Sequence, residues 1–302
     1  MLTRRIVCIG AETDPQLCFW QEIASSLDAE VIRLSISTFK TCWTIVSSNS
    51  YTALQLTFPR RMDIKLDDAA TCWYIRLPSV TDENCRTTLA LLHSFLTIHA
   101  FPLGNYFYGG FEEATYGSKP FQLQSLLHFV PFTRLVNVVD RMSGANLPII
   151  KSMSLQRSTV VNALDSRLNI TPHRRADIPV QLQRRIEGAS AKVHFYRTRD
   201  HEWLALTVIA SVHDNAIDYR ESRDVSLRFE QTSPEMFDVA DEIYQKIQCA
   251  FFDVDYIHTE GRPVFLEVNM SPAPCAFVTK GDSHAAVFSF LVLYDWLGTR
   301  EI

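Results

Sequence analysis

Three carboxylates and one amide, those of Asp253, Asp255, Glu267 and Asn269, stand at alternating positions in the segment Phe251–Pro274, which reads FFDVDYIHTEGRPVFLEVNMSPAP. Two runs of alternating apolar and polar residues flank a short polar turn, and this pattern predicts a β-hairpin. A turn of three residues pairs Asp255 with Glu267 and Asp253 with Asn269, so that all four side chains share one face of the hairpin. A turn of two residues would place Asp255 and Glu267 on opposite faces.

Four such side chains on one face would suit a hard divalent cation. Carboxylates that are held close together repel one another, and a bound ion such as Mg²⁺, which prefers oxygen ligands, compensates for that repulsion. The alternative is an ordinary hairpin with a solvated acidic face, in which Val264, Leu266 and Val268 face the core. The residues of the hairpin by themselves leave both interpretations open.

The composition places this hairpin in a folded protein with a large core. Of the 302 residues, 47% are hydrophobic and 21% are charged, which excludes a disordered or low-complexity chain. The formal net charge of -5 argues against a general nucleic-acid binder, because such proteins carry excess positive charge to neutralise phosphates. We expect small anions or polypeptides as partners instead.

The cysteines indicate a reducing compartment. There are seven, and they form neither a C-x-x-C pair nor the spacing of a metal knuckle, which favours free thiols in the cytoplasm. The most apolar stretch, Ala285–Leu297, contains Ser289 and Asp295 and is therefore not a membrane-spanning helix. We expect no membrane partner.

The elements that must position the hairpin follow from hydrophobic periodicity. An α/β unit opens the chain, with strands at Arg5–Gly10 and Glu30–Ile36 around a helix at Asp14–Leu27. A turn-rich stretch at Pro102–Gly117 marks a lobe boundary. The other predicted strands are Thr71–Leu77, Leu147–Lys151, Lys192–Tyr196 and Trp203–Ser211, and the other predicted helices are Asn84–His99, Lys119–His128, Pro234–Gln248 and a final apolar helix.

The hairpin resembles the metal-binding end of ATP-grasp ligases. Glu-Val-Asn precedes a turn with Ser and Pro, and an Asp stands twelve residues before the Glu. The resemblance is nearest to RimK-type ligases and microviridin-type (graspetide) peptide ligases. It implies that Asp255, Glu267 and Asn269 hold two Mg²⁺ ions that bridge the phosphates of ATP, whereas Asp253 has no counterpart in the family.

The same resemblance implies a fold of three lobes. These are an N-terminal α/β lobe at residues 1–115, a small central lobe at 116–187 and a C-terminal α+β lobe at 188–302, with ATP between the last two.

Two lysines and a hinge resemble the nucleotide contacts of the family. Lys151 ends a strand whose Lys contacts phosphate in these ligases, and Lys119 would be a second contact. Read alone, Lys151 is more often an edge residue whose ammonium reaches solvent, and Lys119 is consistent with a solvated residue at the start of a helix. The hinge that would bind adenine through its backbone comprises Gln183, Arg184, Arg185 and Ile186.

Two further motifs resemble microviridin-type ligases. Asp218-Tyr219-Arg220 is similar to their D-W-R motif, and Cys72–Pro78 is similar to their W-Y-R-R-P strand. The resemblance implies a catalytic Arg220 that grips phosphate or carboxylate, for which the alternative is a surface Asp–Arg pair. Lys192 stands where the family prefers Arg, and it would be the second catalytic residue.

The implied activity is ligation of a carboxylate to an amine or hydroxyl through an acyl phosphate, with ADP and phosphate as products. The substrate would be an amino acid or a peptide, including a ribosomally made precursor peptide, and we expect a homo-oligomer. The loop at residues 151–159 departs from the family because it contains no glycine to let backbone amides approach phosphate closely. The alternative is therefore a catalytically weakened protein that binds nucleotide and a peptide partner without ligation.

Overall fold

Our computed structural model of the protein describes most of the N-terminal and C-terminal regions and the strands between them. The described residues are 4–35, 43–48, 51–56, 62–66, 68, 70–76, 91–92, 94–96, 98–99, 106–107, 133–138, 149–152, 160–162, 175–213, 222–247, 249–259, 263–270, 272–280 and 283–297.

The described elements comprise strands, three α-helices and two 3₁₀ segments. The strands are β1 (Arg4–Gly10), β2 (Ala29–Ser35), β3 (Trp43–Ser48), β4 (Tyr51–Leu56), β5 (Met62–Lys65), β6 (Thr71–Arg76), β7 (Tyr106–Phe107), β8 (Thr133–Val138), β9 (Ile149–Ser152), β10 (Val160–Asn162), β11 (Arg175–Gln183), β12 (Ala189–Arg197), β13 (Trp203–Val212), β14 (Val225–Glu230), β15 (Phe251–His258) and β16 (Pro263–Asn269). The helices are α1 (Pro15–Ala24), α2 (Pro234–Ile247) and α3 (Ser283–Trp296), and the 3₁₀ segments are Ser25–Leu27 and Pro274–Lys280. The described residues between 91 and 99 are also helical, in agreement with the predicted helix there.

The N-terminal sheet is parallel and has the order β2-β1-β6-β7. Its central strand β1 is buried on both faces from Ile6 to Ile9, as expected of a continuous apolar run in a parallel sheet. Helix α1 begins where the Asp14 carboxylate accepts hydrogen bonds from the backbone amides of Gln16 and Leu17, and Pro15 occupies its first turn. The predicted α/β unit is therefore present.

Two smaller antiparallel sheets are formed by strands between Trp43 and Gln183. One has the order β3-β4-β5, and the sequence patterns did not predict it. The other has the order β10-β9-β11-β8, and it pairs β9 with both β10 and β11.

The C-terminal sheet carries the candidate hairpin. It is antiparallel throughout, with the order β14-β13-β12-β15-β16. Helix α2 packs on one face through an apolar stripe at helical spacing, and its buried residues are Met236, Ala240, Ile243 and Ile247. Helix α3 packs near the other face, together with α1 and β6 of the N-terminal sheet. None of the helices in the described part of the chain is long and apolar enough to cross a membrane.

Candidate functional site

The hairpin of β15 and β16 pairs the residues that the sequence predicted. Asp255 lies opposite Glu267, and Asp253 lies opposite Asn269. The predicted three-residue turn is wrong, because His258 pairs with Pro263 and leaves four residues between the strands. If the strands continued to pair without interruption from His258 and Pro263, Glu267 would lie on the face of the sheet that packs against α2.

One extra residue in β16 corrects the register. The ladder shifts between the pair Asp255–Glu267 and the pair Tyr256–Phe265, which is a β-bulge at Leu266. The bulge lets Phe265 and Val268 both pack against the α2 core, although they are three residues apart. Of the three residues predicted to face the core, Val268 is buried, whereas Val264 and Leu266 are half-buried. Phe265 is also half-buried, and it packs against the core.

Lys192 joins the two aspartates of this face. Its strand β12 pairs with β15, so that Lys192 lies directly opposite Asp255 and His194 lies opposite Asp253. The Lys192 ammonium lies 2.7 Å from Asp253 Oδ1 and 2.6 Å from Asp255 Oδ1. Asn269 Nδ2 donates to Asp253 Oδ2 at 3.4 Å. We call the surface formed by Lys192, Asp253, Asp255, Glu267 and Asn269 the acidic face.

Asp253 is the deepest member of the acidic face. Its side chain is 2% exposed, against 27% for Asp255. Burial raises the pKa of Asp253 to about 7, and the Asp255 carboxylate adds to the rise, whereas the Lys192 ammonium opposes it. The sequence predicted Asp253 only as a residue beside the metal ligands, because spacing alone does not distinguish a buried position from its half-buried neighbour Asp255.

His194 lies behind Asp253 and is fully buried. Its ring packs against Phe277 and Phe288, and its Nδ1 is 3.6 Å from Asp253 Oδ2. Among the described residues, neither ring nitrogen has a hydrogen-bond partner. Burial therefore lowers the pKa of His194 well below its usual range, and the positive charge of Lys192 lowers it further. His194 is a neutral residue at pH 7.

We expect a His194→Leu variant to be less sensitive to mild acid than the wild type. Because the pKa of His194 is lower in the folded than in the unfolded chain, the unfolded chain binds more protons below pH 6.5, and stability falls as the pH falls. The free energy of unfolding of the wild type falls by about 1.4 kcal/mol per pH unit from this group, and the variant lacks this contribution. Urea unfolding in EDTA at pH 7.5, 6.5 and 5.5 measures it. Parallel pH profiles of the two proteins would contradict the assignment.

The segment that follows Asn269 is attached to the N-terminal sheet. Tyr74 Oη donates to the backbone oxygen of Pro272 at 2.7 Å, and Gln16 Oε1 accepts from the backbone amide of Cys275 at 3.1 Å. Two residues after Tyr74, Arg76 Nε lies 2.5 Å from Asp14 Oδ2. These contacts place the end of β6 beside the acidic face. The sequence did not predict them, because partners 62 to 259 residues apart leave no local pattern.

Comparison with known proteins identifies the fold. No protein-family model matches the chain, and no curated protein matches it either. The ATP-grasp ligase PsnB, complexed with a precursor peptide and AMPPNP, is 16% identical with a TM-score of 0.66, and the match covers 98% of each chain. The macrocyclase MdnC from Microcystis aeruginosa MRC, bound with the precursor peptide MdnA, is 13% identical with a TM-score of 0.62, over 96% of this chain and 99% of MdnC.

A third solved structure with a similar fold is a ligase of small amino acids. The VanG D-Ala:D-Ser ligase from Enterococcus faecalis is 14% identical with a TM-score of 0.58, over 96% of this chain and 99% of the ligase. This chain has the ATP-grasp fold. The predicted α/β and α+β fold class is therefore confirmed, whereas the lobe boundaries at residues 115 and 187 remain predictions.

The nucleotide contacts expected in an ATP-grasp fold lie partly within the described residues. Lys151 belongs to β9 and pairs with Gln181 of β11. The expected hinge begins at the end of β11, where Gln183 is buried, Arg184 and Arg185 are exposed and Ile186 is half-buried. Lys119, Arg220 and the predicted helix at 119–128 lie outside the described residues.

The metal ligands that the sequence predicts, Asp255, Glu267 and Asn269, share one face of the hairpin. Within the described ranges, no group of three Asp, Glu, His or Cys side chains is arranged to hold a metal. The donor set of Asp255, Glu267 and Asn269 is nevertheless rich in oxygen, which suits Mg²⁺ chemically. The ligand assignment therefore remains a prediction, and Lys192 contacts Asp255 in this arrangement.

Proposed function

We propose that this protein is an ATP-dependent ligase that joins a substrate carboxylate to an amine or a hydroxyl. The observation that carries the proposal is the pairing of Asp255 with Glu267 beside Asn269 on one face of the C-terminal sheet, in a chain with the ATP-grasp fold. Solved structures with this fold include ligases that are complexed with precursor peptides and a D-Ala:D-Ser ligase. Both kinds of acceptor, a peptide and a small amino or hydroxy acid, are therefore within the proposal.

The reaction would proceed through an acyl phosphate. A carboxylate oxygen of the substrate attacks the γ-phosphorus of ATP and ADP leaves; the amine or hydroxyl then attacks the acyl carbon, and phosphate leaves with the electron pair while the nucleophile loses its proton. Mg²⁺, when bound by Asp255, Glu267 and Asn269, would supply positive charge for the phosphates. We assign Lys151 and Lys119 to the phosphates, the backbone of residues 183–186 to adenine, and Arg220 and Lys192 to the reacting groups.

The solved structures suggest the kind of substrate, and the cysteines suggest the cellular location. A peptide substrate, such as a ribosomally made precursor, follows from the peptide complexes of PsnB and MdnC. A cytoplasmic location agrees with the described cysteines, namely Cys8, Cys18, Cys72, Cys249 and Cys275, which are free thiols. We also propose a homo-oligomer.

The nucleotide product tests the proposal. The protein is incubated with ATP, MgCl₂ and panels of acidic peptides and of amino or hydroxy acids, and the spent nucleotide is separated by chromatography. We expect ADP and phosphate in equal amounts, formed only with the correct carboxylate. AMP with pyrophosphate would contradict the acyl-phosphate route. A thermal shift with ATP and Mg²⁺ but no ADP with any substrate would favour a nucleotide-binding protein without ligase activity.

A further inference from the structure

Lys192 occupies an unusual position on the acidic face. Its ammonium contacts one oxygen of each aspartate at 2.6 to 2.7 Å, which is the length of a strong charge-assisted hydrogen bond. An ammonium donates three hydrogen bonds as a compact point charge, and a small cation such as Mg²⁺ also uses carboxylate oxygens as ligands. Lys192 therefore makes contacts with Asp253 and Asp255 that a divalent cation would otherwise make.

The exposed fraction of the side chain increases from Asp253 through Lys192 to Asp255. The side chain of Asp253 is 2% exposed, that of Lys192 is 14% exposed and that of Asp255 is 27% exposed. A buried carboxylate without a positive partner is strongly destabilising, so Asp253 depends on Lys192. A cation that arrives from solvent reaches Asp255 first, since Asp255 is at the exposed end.

We propose that Lys192 is a resident cation of the acidic face, which Asp253 retains and which a divalent metal ion must displace from Asp255 in order to bind. This inference rests on the proposed metal site and adds a competitor to it. The metal-free protein is stabilised because Lys192 holds the two aspartates of β15 together. When metal binds, the ammonium keeps its contact with Asp253, so that the buried carboxylate is never left without a partner.

Binding of Mn²⁺ alone, followed by the electron paramagnetic resonance signal of the free ion, tests this competition. The wild type is compared with Lys192→Met, which keeps the length of the side chain and removes its charge. We expect the variant to bind Mn²⁺ at least about tenfold more tightly, because a unit positive charge and a competing group leave the site together. Its melting temperature without metal should fall, and Mn²⁺ should raise it more than in the wild type. Equal or weaker binding of Mn²⁺ would overturn the proposal.

A double variant separates the effect of the Lys192 contact with Asp255 from the effect of net charge on Mn²⁺ binding. Lys192→Met with Asp253→Asn has the same net charge on the acidic face as the wild type, but it lacks the Lys192 ammonium that contacts Asp255. We expect its metal-free melting temperature to lie above that of Lys192→Met, because no buried carboxylate is left unpaired, and we expect it still to bind Mn²⁺ more tightly than the wild type. Binding at the wild-type level would mean that net charge alone sets the affinity, and the displacement of Lys192 would be wrong. Lys192→Arg, which keeps the charge, should resemble the wild type.

Two further variants serve as controls. Lys246→Met removes a lysine that is ion-paired with Glu242 on the surface of α2, at 2.8 Å, and should leave Mn²⁺ binding unchanged. Glu267→Gln should weaken Mn²⁺ binding in every background. If Glu267→Gln binds Mn²⁺ as the wild type does, the proposed metal site itself fails, which is distinct from a failure of the competition by Lys192.

Discussion

Replacing Glu267 by glutamine is expected to lower ligase turnover by roughly 10²–10³-fold, the cost of losing one group that stabilises developing charge. Glu267 lies opposite Asp255, and in the proposed metal site the two carboxylates would together provide the charge that attracts a divalent cation. Glutamine keeps the shape and an oxygen ligand but loses the charge. The measurement is the rate of substrate-dependent ADP release at saturating ATP and MgCl₂.

The same substitution is expected to leave the metal-free fold intact. Like charges directly opposite on adjacent strands are destabilising, so the removal of one carboxylate relieves repulsion with Asp255. The melting temperature in EDTA should therefore be unchanged or slightly higher. A variant that loses activity because it unfolds would show a lower melting temperature, and this result would contradict the proposed role.

Glu230→Gln is the matched control on the same sheet. Glu230 lies on the edge strand β14, its side chain is 39% exposed, and its ion pair with Arg228 at 2.7 Å is a surface contact. Exposed pairs of this kind contribute little to stability. We expect neither the rate of ADP release nor the melting temperature to change.

Replacing Trp20 by alanine is expected to destabilise the protein by about 3–5 kcal/mol, the usual cost of truncating a buried Trp. Trp20 of α1 is fully buried, and its Nε1 donates to the backbone oxygen of Ser289 in α3 at 3.1 Å. Its ring lies 4.9 Å from the ring of Tyr74 and 5.7 Å from that of Trp296. The truncation therefore opens a cavity between the N-terminal sheet and α3 and leaves a backbone oxygen without its donor.

Urea unfolding of the whole chain measures this loss, and Phe19→Ala is the control. Phe19 is the neighbouring residue of α1 and packs only partly against the same cluster. Its truncation should cost less than half as much, because part of the ring is already in contact with water. Equal losses for the two variants would mean that the contact between α1 and α3 is no stronger than an ordinary surface contact.

The sequence predicted those features that depend on local periodicity. The hairpin and its pairs at Asp255 and Asp253 follow from alternation, and helix α2 follows from apolar residues at helical spacing. The resemblance to ATP-grasp ligases rested on residues of that hairpin, and the confirmed fold agrees with it.

Other features could not be predicted, because they depend on tertiary contacts. The sequence predicts a three-residue turn, whereas the bulge lets both Phe265 and Val268 pack against the α2 core, and this packing leaves no local signal. Lys192 was assigned to catalysis by its position in a motif, and its contact with the buried Asp253 became visible once β12 and β15 were paired. The hydrogen bond from Tyr74 to Pro272 likewise joins distant parts of the chain.

The bulge at Leu266 has a consequence for how such sites are recognised in other sequences. Removal of Leu266 would turn the ladder into a regular one with the same facing pairs, since Tyr256 would still face Phe265 and Asp255 would still face Glu267. The acidic pair would then be eleven residues apart along the chain instead of twelve. The number of residues between the two acids can therefore differ by one without a change in which residues face each other, because a bulge accommodates the extra residue. Homologues with an insertion or a deletion at this point can keep the same facing pairs. Searches for such a site should accept both spacings.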